Sequence, residues 1–154
     1  MTSTIWEEDM DPTGWYLTEK YDGLRLYWNG TDFYTRHGAK VNAPPSIIHQ
    51  MPKSPLDGEL WYLYLRKNSD ISERTSYGRY QEAASLSRSS DDVKWKQAIF
   101  WVFDTPEMGG APIELRFQHL KELKEQELLP SFVNIVETVT CRGSNKKIFF
   151  LLSF

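Results

Sequence analysis

The pair Asn29-Gly30 is the tightest local constraint on this chain. It separates two β-favouring runs, residues 25–28 and 33–35, and Asn-Gly suits a two-residue hairpin turn because both residues tolerate positive φ. The spacing predicts two antiparallel strands within residues 15–35, with Lys20 just before or within the first of them. Asn29-Gly30-Thr31 also matches a glycosylation sequon. The N-terminus, MTSTIWEEDMDP, has neither the basic nor the apolar segment of a secretory signal, so the turn reading is preferred.

Further turn signals divide the rest of the chain. Arg36-His37-Gly38 is followed by a loop at Ala43-Pro44-Pro45 and a predicted strand over residues 56–65. Residues 77–96 are polar and serine-rich, with helical turns expected at 81–86 and 91–95. The run AIFWVF, residues 98–103, is unbroken and apolar, as in a strand buried on both faces. After a loop at 106–112, Ile113, Phe117, Leu120 and Leu123 recur at helical spacing, with Pro130 expected to close the helix. Residues 133–139 read as another strand. Strands outnumber the one clear helix, which predicts an α+β fold of antiparallel sheets with flanking helices. No repeat and no long linker divides the chain, so one domain is expected.

Composition narrows the function. In 154 residues, 40% hydrophobic and 25% charged, there is enough apolar material for an ordinary core. A formal net charge of −3 leaves no global basic footprint, so nucleic-acid contact needs a local patch. The single cysteine, Cys141, excludes an intrachain disulfide, and His37, His49 and His119 lack metal-ligand spacing. A soluble protein of a reducing, intracellular compartment is expected, with nuclear, mitochondrial and cytoplasmic locations equally open. The terminal run IFFLLSF falls well short of the ~20 residues that span a bilayer.

The chemistry concentrates in Lys20-Tyr21-Asp22-Gly23-Leu24-Arg25. Lysine is a nucleophile only without its proton, so its ordinary pKa of ~10.4 must be lowered by desolvation or nearby positive charge. Tyr16, Tyr21, Leu24 and Trp28 are candidate apolar walls, Arg25 a candidate phosphate contact, and Asp22-Gly23 a candidate tight turn. Asp57-Gly58-Glu59-Leu60 places a carboxylate at a strand start, suited to ribose hydroxyls or a hydrated metal. Thr35-Arg36-His37-Gly38 adds a second arginine at a turn, and Phe103-Asp104 ends a strand where an aromatic could stack on a base. Each also has a plain structural reading: solvated charges at Lys20, Asp22, Arg25 and Arg36, a turn at Asp57-Gly58, and core at Phe103.

In order and spacing, K-x-D-G-x-R, R-x-G, D-G-E and F-x-x-F-D resemble motifs I, Ia, III and IIIa of the covalent nucleotidyltransferases. The phrases YTRHG, APP, PLDGELW and GRY are most similar to compact ATP-dependent DNA ligases. The resemblance implies an ATP-grasp-like ligase adenylation domain, incomplete, over residues 14–143. It would follow an N-terminal extension at 1–13 and precede an atypical apolar tail at 144–154, with no OB-fold domain. It implies that Lys20 attacks the α-phosphate of ATP to form lysyl-AMP. Thr18 and Glu19 would contact the adenine edge, Arg25 and Arg36 the ribose and phosphates, Glu59 the ribose or Mg²⁺, and Phe103 the adenine face. The implied cofactors are ATP and Mg²⁺ and the implied partner is nicked double-stranded DNA, met by a monomer away from any membrane. The family's motif IV and motif V strands have no match after Cys141-Arg142-Gly143, so impaired activity is expected. RNA ligases and capping-type guanylyltransferases remain as alternatives, and so does a non-catalytic nucleotide- or DNA-binding piece.

Overall fold

The structure, a computed structural model, describes residue 7, residues 10–62 and residues 80–143. Residues 63–65 of the predicted strand, Gly78-Arg79 of the GRY phrase and the 144–154 tail lie outside the described residues. Tertiary contacts divide the chain into two units, Tyr21–Ile135 and a smaller one formed by Met1–Lys20 and Val136–Phe154.

The larger unit is a five-stranded sheet in the order β3-β2-β4-β5-β6. Strands β2 (Leu24–Trp28) and β3 (Phe33–Thr35) form the expected antiparallel hairpin. Gly30 has φ +96°, and the Asn29 side chain accepts hydrogen bonds from the backbone N–H groups of Thr31 and Asp32. Strand β4 (Leu56–Tyr62) runs antiparallel to β2, and β5 (Ala98–Asp104) runs antiparallel to β4. Strand β6 (Val133–Ile135) lies parallel to β5, reached through the 13-residue helix α4 (Ile113–Glu125), so the sheet is mixed. A parallel neighbour requires such a crossover.

Among the described residues the unit also holds three short α-helices, α1 (Pro45–Ile48), α2 (Tyr80–Leu86) and α3 (Asp92–Trp95), and a 3-10 turn at Pro106–Met108. The Asp91 carboxylate caps α3 by accepting from the N–H groups of Val93 and Lys94. Leu26, Trp28, Phe33, Leu56, Leu60, Phe100 and Val102 from the strands are buried, as are Ile47, Ala83, Leu86 and Trp95 from the helices. Phe33 is the centre of an aromatic cluster, with ring centroids 4.8 Å from Trp28, 5.4 Å from Phe100 and 6.2 Å from Trp95. The buried indole N–H groups of Trp28 and Trp95 donate to the carbonyls of Pro52 and Ser89.

Two expected strands differ from their sequence reading. Strand β5 alternates strictly between buried and half-buried residues, so only one of its faces is core. The run 133–139 is two strands: β6, and β7 (Thr138–Thr140), which leaves the large sheet. In the smaller unit β7 pairs antiparallel with β1 (Tyr16–Thr18), and Gly14 and Trp15 exchange backbone hydrogen bonds with Cys141. Lys20 therefore follows β1 and precedes β2.

Candidate functional site

Side chains alternate along a strand, so register determines which residues share the face opposite the core. Arg25 is opposite Glu59 across β2 and β4, and Glu59 is opposite Trp101 across β4 and β5. Phe103, two residues beyond Trp101, lies on the same face. This brings together Arg25, Glu59 and Phe103, three residues read from separate sequence motifs.

Arg25 is fixed in place. Its Nε and Nη2 donate to the two carboxylate oxygens of Asp57 at 3.0 and 2.6 Å, a forked pair. The guanidinium carbon sits 5.3 Å from the centroid of the Phe103 ring, within cation–π range. Hydrogen bonding to Asp57 raises the Arg25 pKa further above its ordinary value, so the charge is permanent.

Glu59 lies mid-strand and half-buried, beyond the strand start expected from D-G-E. Burial pushes its carboxyl up to about 7, against the lowering effects of a hydrogen bond from the Gly23 backbone and the nearby Arg25. Just before it, between Asp57 and Gly58, the register shifts by one residue, with Phe103 of β5 left as the extra residue. A Cβ on Gly58 would stand 2.4 Å from the Trp101 carbonyl oxygen and 2.9 Å from the Phe100 ring. Gly58 serves close packing and no turn.

Gly23 is packed as closely, at a bend in the backbone. Its φ is not positive, and a Cβ there would stand 2.3 Å from the Leu60 carbonyl oxygen and 2.9 Å from Glu59 Cγ. The backbone after Lys20 is laid directly on β4. Trp28, expected as a pocket wall, is only 1% exposed and belongs to the core face. The aromatic surface on the site face comes from Trp101 and Tyr21, whose rings stack with centroids 4.4 Å apart and planes 9° apart. Trp61 meets Tyr21 edge-on at 6.3 Å.

At the end of β5, Asp104 is buried; its two carboxylate oxygens accept from Arg116 at 2.8 and 3.0 Å, which joins the strand to α4, and Oδ1 also accepts from the Thr105 backbone N–H at 2.9 Å. Sequence reasoning missed this pair, the role of Asp57 as partner to Arg25, and Trp101. The available signal was period two: Trp101 precedes Phe103 by two residues and must share its face.

The other expected site residues lie elsewhere. Thr18 ends β1, and Glu19 and Lys20 follow it; all three are exposed and belong to the smaller unit. Arg36 is exposed in the turn after β3, at the edge of the large sheet. A shallow concavity in the smaller unit is lined by Thr138, Val139, Thr140 and Arg142, none of them an expected site residue.

Among the described residues, no group of three His, Cys, Asp or Glu could hold a metal ion. An all-protein cage does not fit. Magnesium commonly takes one or two carboxylates together with substrate phosphates and water, and Glu59 fits that more open arrangement. Among the described residues no helix is long and apolar enough to cross a membrane.

No family model matches the sequence. The chain is 29% identical over 140 residues to a DNA ligase of Haemophilus influenzae (strain ATCC 51907 / DSM 11121 / KW20 / Rd), covering 90% of this chain and 46% of that protein. Its structure matches one from a structure–function study of Lig E DNA ligases and DNA binding with a minimal scaffold. That match has a TM-score of 0.72 and 26% identity, over 94% of this chain and 54% of the other. A structure described as Pmar-Lig_PreS3 shares the fold at a TM-score of 0.60 and 18% identity, over 88% of this chain and 34% of that one. The chain thus spans about half the length of the Haemophilus influenzae ligase and of the Lig E structure.

Proposed function

We infer that this chain, similar in sequence and fold to DNA ligases, carries the nucleotide-activating chemistry of an ATP-dependent ligase that seals nicks in duplex DNA during repair or replication. The observation that carries the reading is the convergence of Arg25, Glu59 and Phe103 on one sheet face. A fixed cation, a carboxylate and an aromatic ring together suit the phosphates, ribose and base of a nucleotide.

The deprotonated Nζ of Lys20 attacks the α-phosphorus of ATP. A P–N bond forms, the bond to the bridging oxygen breaks, and pyrophosphate leaves with the electron pair. The 5′-phosphate at a nick then takes the adenylyl group, breaking the P–N bond and freeing the lysine. The 3′-hydroxyl attacks that activated phosphate, gives up its proton and expels AMP.

Thr18 and Glu19 recognise the adenine edge and Phe103 stacks on its face. Arg25 and Arg36 contact ribose and phosphate oxygens, and Glu59 accepts from the ribose hydroxyls. Alternatively, Glu59 would hold a hydrated Mg²⁺, which when bound with the nucleotide would neutralise charge on the departing pyrophosphate.

The test is incubation with α-labelled ATP and Mg²⁺, followed by peptide mapping. Label on the peptide containing Lys20, absent in Lys20→Ala, is expected. Label that persists in Lys20→Ala would remove the nucleophile assignment, and label from GTP in preference to ATP would favour a capping-type enzyme.

A further inference from the structure

We propose that Tyr21 and Trp101 form a positioning pair for the nucleophile of the proposed reaction, an inference that rests on Lys20 being that nucleophile. Lys20 and Tyr21 are neighbours in the chain, so their Cα atoms are held ~3.8 Å apart across the peptide bond. Fixing Tyr21 restricts where the Lys20 backbone can be.

The structure fixes that stretch at two points. The Tyr21 ring lies flat on Trp101, 4.4 Å between centroids and 9° between planes, with Trp61 against its edge. Two residues on, Gly23 is buried against β4 so closely that a Cβ would stand 2.3 Å from the Leu60 carbonyl oxygen. Both anchors are central strands of the large sheet, which hold a neighbouring residue more firmly than a loop contact would.

The chemistry of Trp101 supports a stacking role. Its indole Nε1 is buried and makes no hydrogen bond among the described residues. A buried donor without an acceptor costs stability, so what Trp101 contributes at this position is its ring surface. That surface is occupied by Tyr21 and not by a core residue. Trp101 alternates with Phe100 and Val102, which face the core, and so belongs to the same face as Glu59 and Phe103.

Positioning has a kinetic signature. A shift of ~1 Å in a reacting group can cost on the order of 10²-fold in rate. Tyr21→Ala and Trp101→Ala should each slow lysyl-adenylate formation by about that factor at saturating ATP, while the KM for ATP changes by less than ~3-fold. Because the two rings act through one contact, the double variant Tyr21→Ala/Trp101→Ala should be no slower than either single one. Tyr21→Phe and Trp101→Phe keep ring on ring and should stay within ~3-fold of the unsubstituted chain.

The experiment is single-turnover labelling of the whole chain with α-labelled ATP and Mg²⁺, with Lys20→Ala alongside and folding checked by near-ultraviolet circular dichroism. Tyr21→Leu serves as a second variant should Tyr21→Ala lose its fold, since it keeps apolar bulk without stacking. Rate loss in the alanine and leucine variants, rescue by phenylalanine and a non-additive double variant support the pair. Unchanged rates in folded Tyr21→Leu or Trp101→Ala overturn it, as does loss confined to KM or additive loss in the double variant. An unsubstituted chain that takes no label, or label retained in Lys20→Ala, overturns the functional reading and this inference with it.

Discussion

Among single residues, Glu59 carries the sharpest pH prediction. Its carboxyl rises from an ordinary 4.5 to about 7 because burial disfavours the charge. The folded state therefore holds a proton that the unfolded state releases between those values, and stability must fall as pH rises through this window. Below it both states are protonated and the burial cost is absent. Glu59→Gln removes the charge, so it should raise stability at pH 8 and leave it nearly unchanged at pH 4. The expected gain is ~1–2 kcal/mol, reduced from the full linkage value because the side chain is partly exposed. Urea denaturation at both pH values measures it, and a larger gain at pH 4 than at pH 8 would contradict the assignment. Arg25 supports a second prediction. Its forked contact with Asp57 and its place over Phe103 use the planar guanidinium, which an ammonium cannot reproduce. Arg25→Lys should therefore lose lysyl-adenylate formation nearly as fully as Arg25→Ala; activity close to the unsubstituted chain would show that only the charge matters.

In the secondary-structure elements, glycine placement decides against the alternative reading of Asp57-Gly58 as a turn. The pair does mark turns in general, and nothing adjacent in the sequence distinguishes Gly58 from a turn glycine. What distinguishes it is the Trp101 carbonyl, which lies 2.4 Å from a would-be Cβ and is supplied by a strand more than forty residues away. Gly58→Ala should cost roughly 1–3 kcal/mol, since a backbone group must shift to admit the methyl. A midpoint in denaturant equal to that of the unsubstituted chain would show that the strands yield more easily than this contact implies. The same non-local origin accounts for the misread elements. The run AIFWVF conceals its alternation because its non-core face carries Ile99, Trp101 and Phe103. Tyr21 stacks on Trp101 and Arg25 lies over Phe103, so a half-buried face reads as apolar. Residues 133–139 are mostly β-branched, and their partners, β5 for one half and β1 for the other, divide them. Elements whose signals are local were legible: the Asn29-Gly30 hairpin, the helical turn at 91–95, and α4 with Phe117, Leu120 and Leu123 buried. The candidate site was legible in its residue types and order, and illegible in which side chains hold one another.

Across the whole molecule, the two units differ in what stabilises them. The larger has five paired strands over an aromatic core, and its central strands β4 and β5 are bonded on both edges. Among the described residues the smaller has a two-stranded sheet, with Val139 52% exposed and Cys141 buried beside it. An isolated two-stranded pair is marginal in water, so local opening should be far more frequent there. Amides of β1 and β7 should exchange with deuterium at least ~10-fold faster than those of Leu60, Phe100 and Val102. Equal protection in both units would show that they open together. Nucleotide adds a second comparison. If Thr18 and Glu19 hold the adenine edge while Phe103 stacks on its face, ATP should slow exchange in two separate peptides, one containing Thr18–Lys20 and one containing Phe103. Lys20→Ala isolates binding from covalent attachment, because protection by bound ATP alone should survive the loss of the nucleophile. Slowing at Phe103 with none at Thr18 and Glu19 would withdraw the adenine-edge role from the smaller unit and leave base recognition to the large sheet. Slowing at neither would separate the fold from nucleotide binding altogether, with the Arg25, Glu59 and Phe103 cluster then a structural feature of the sheet.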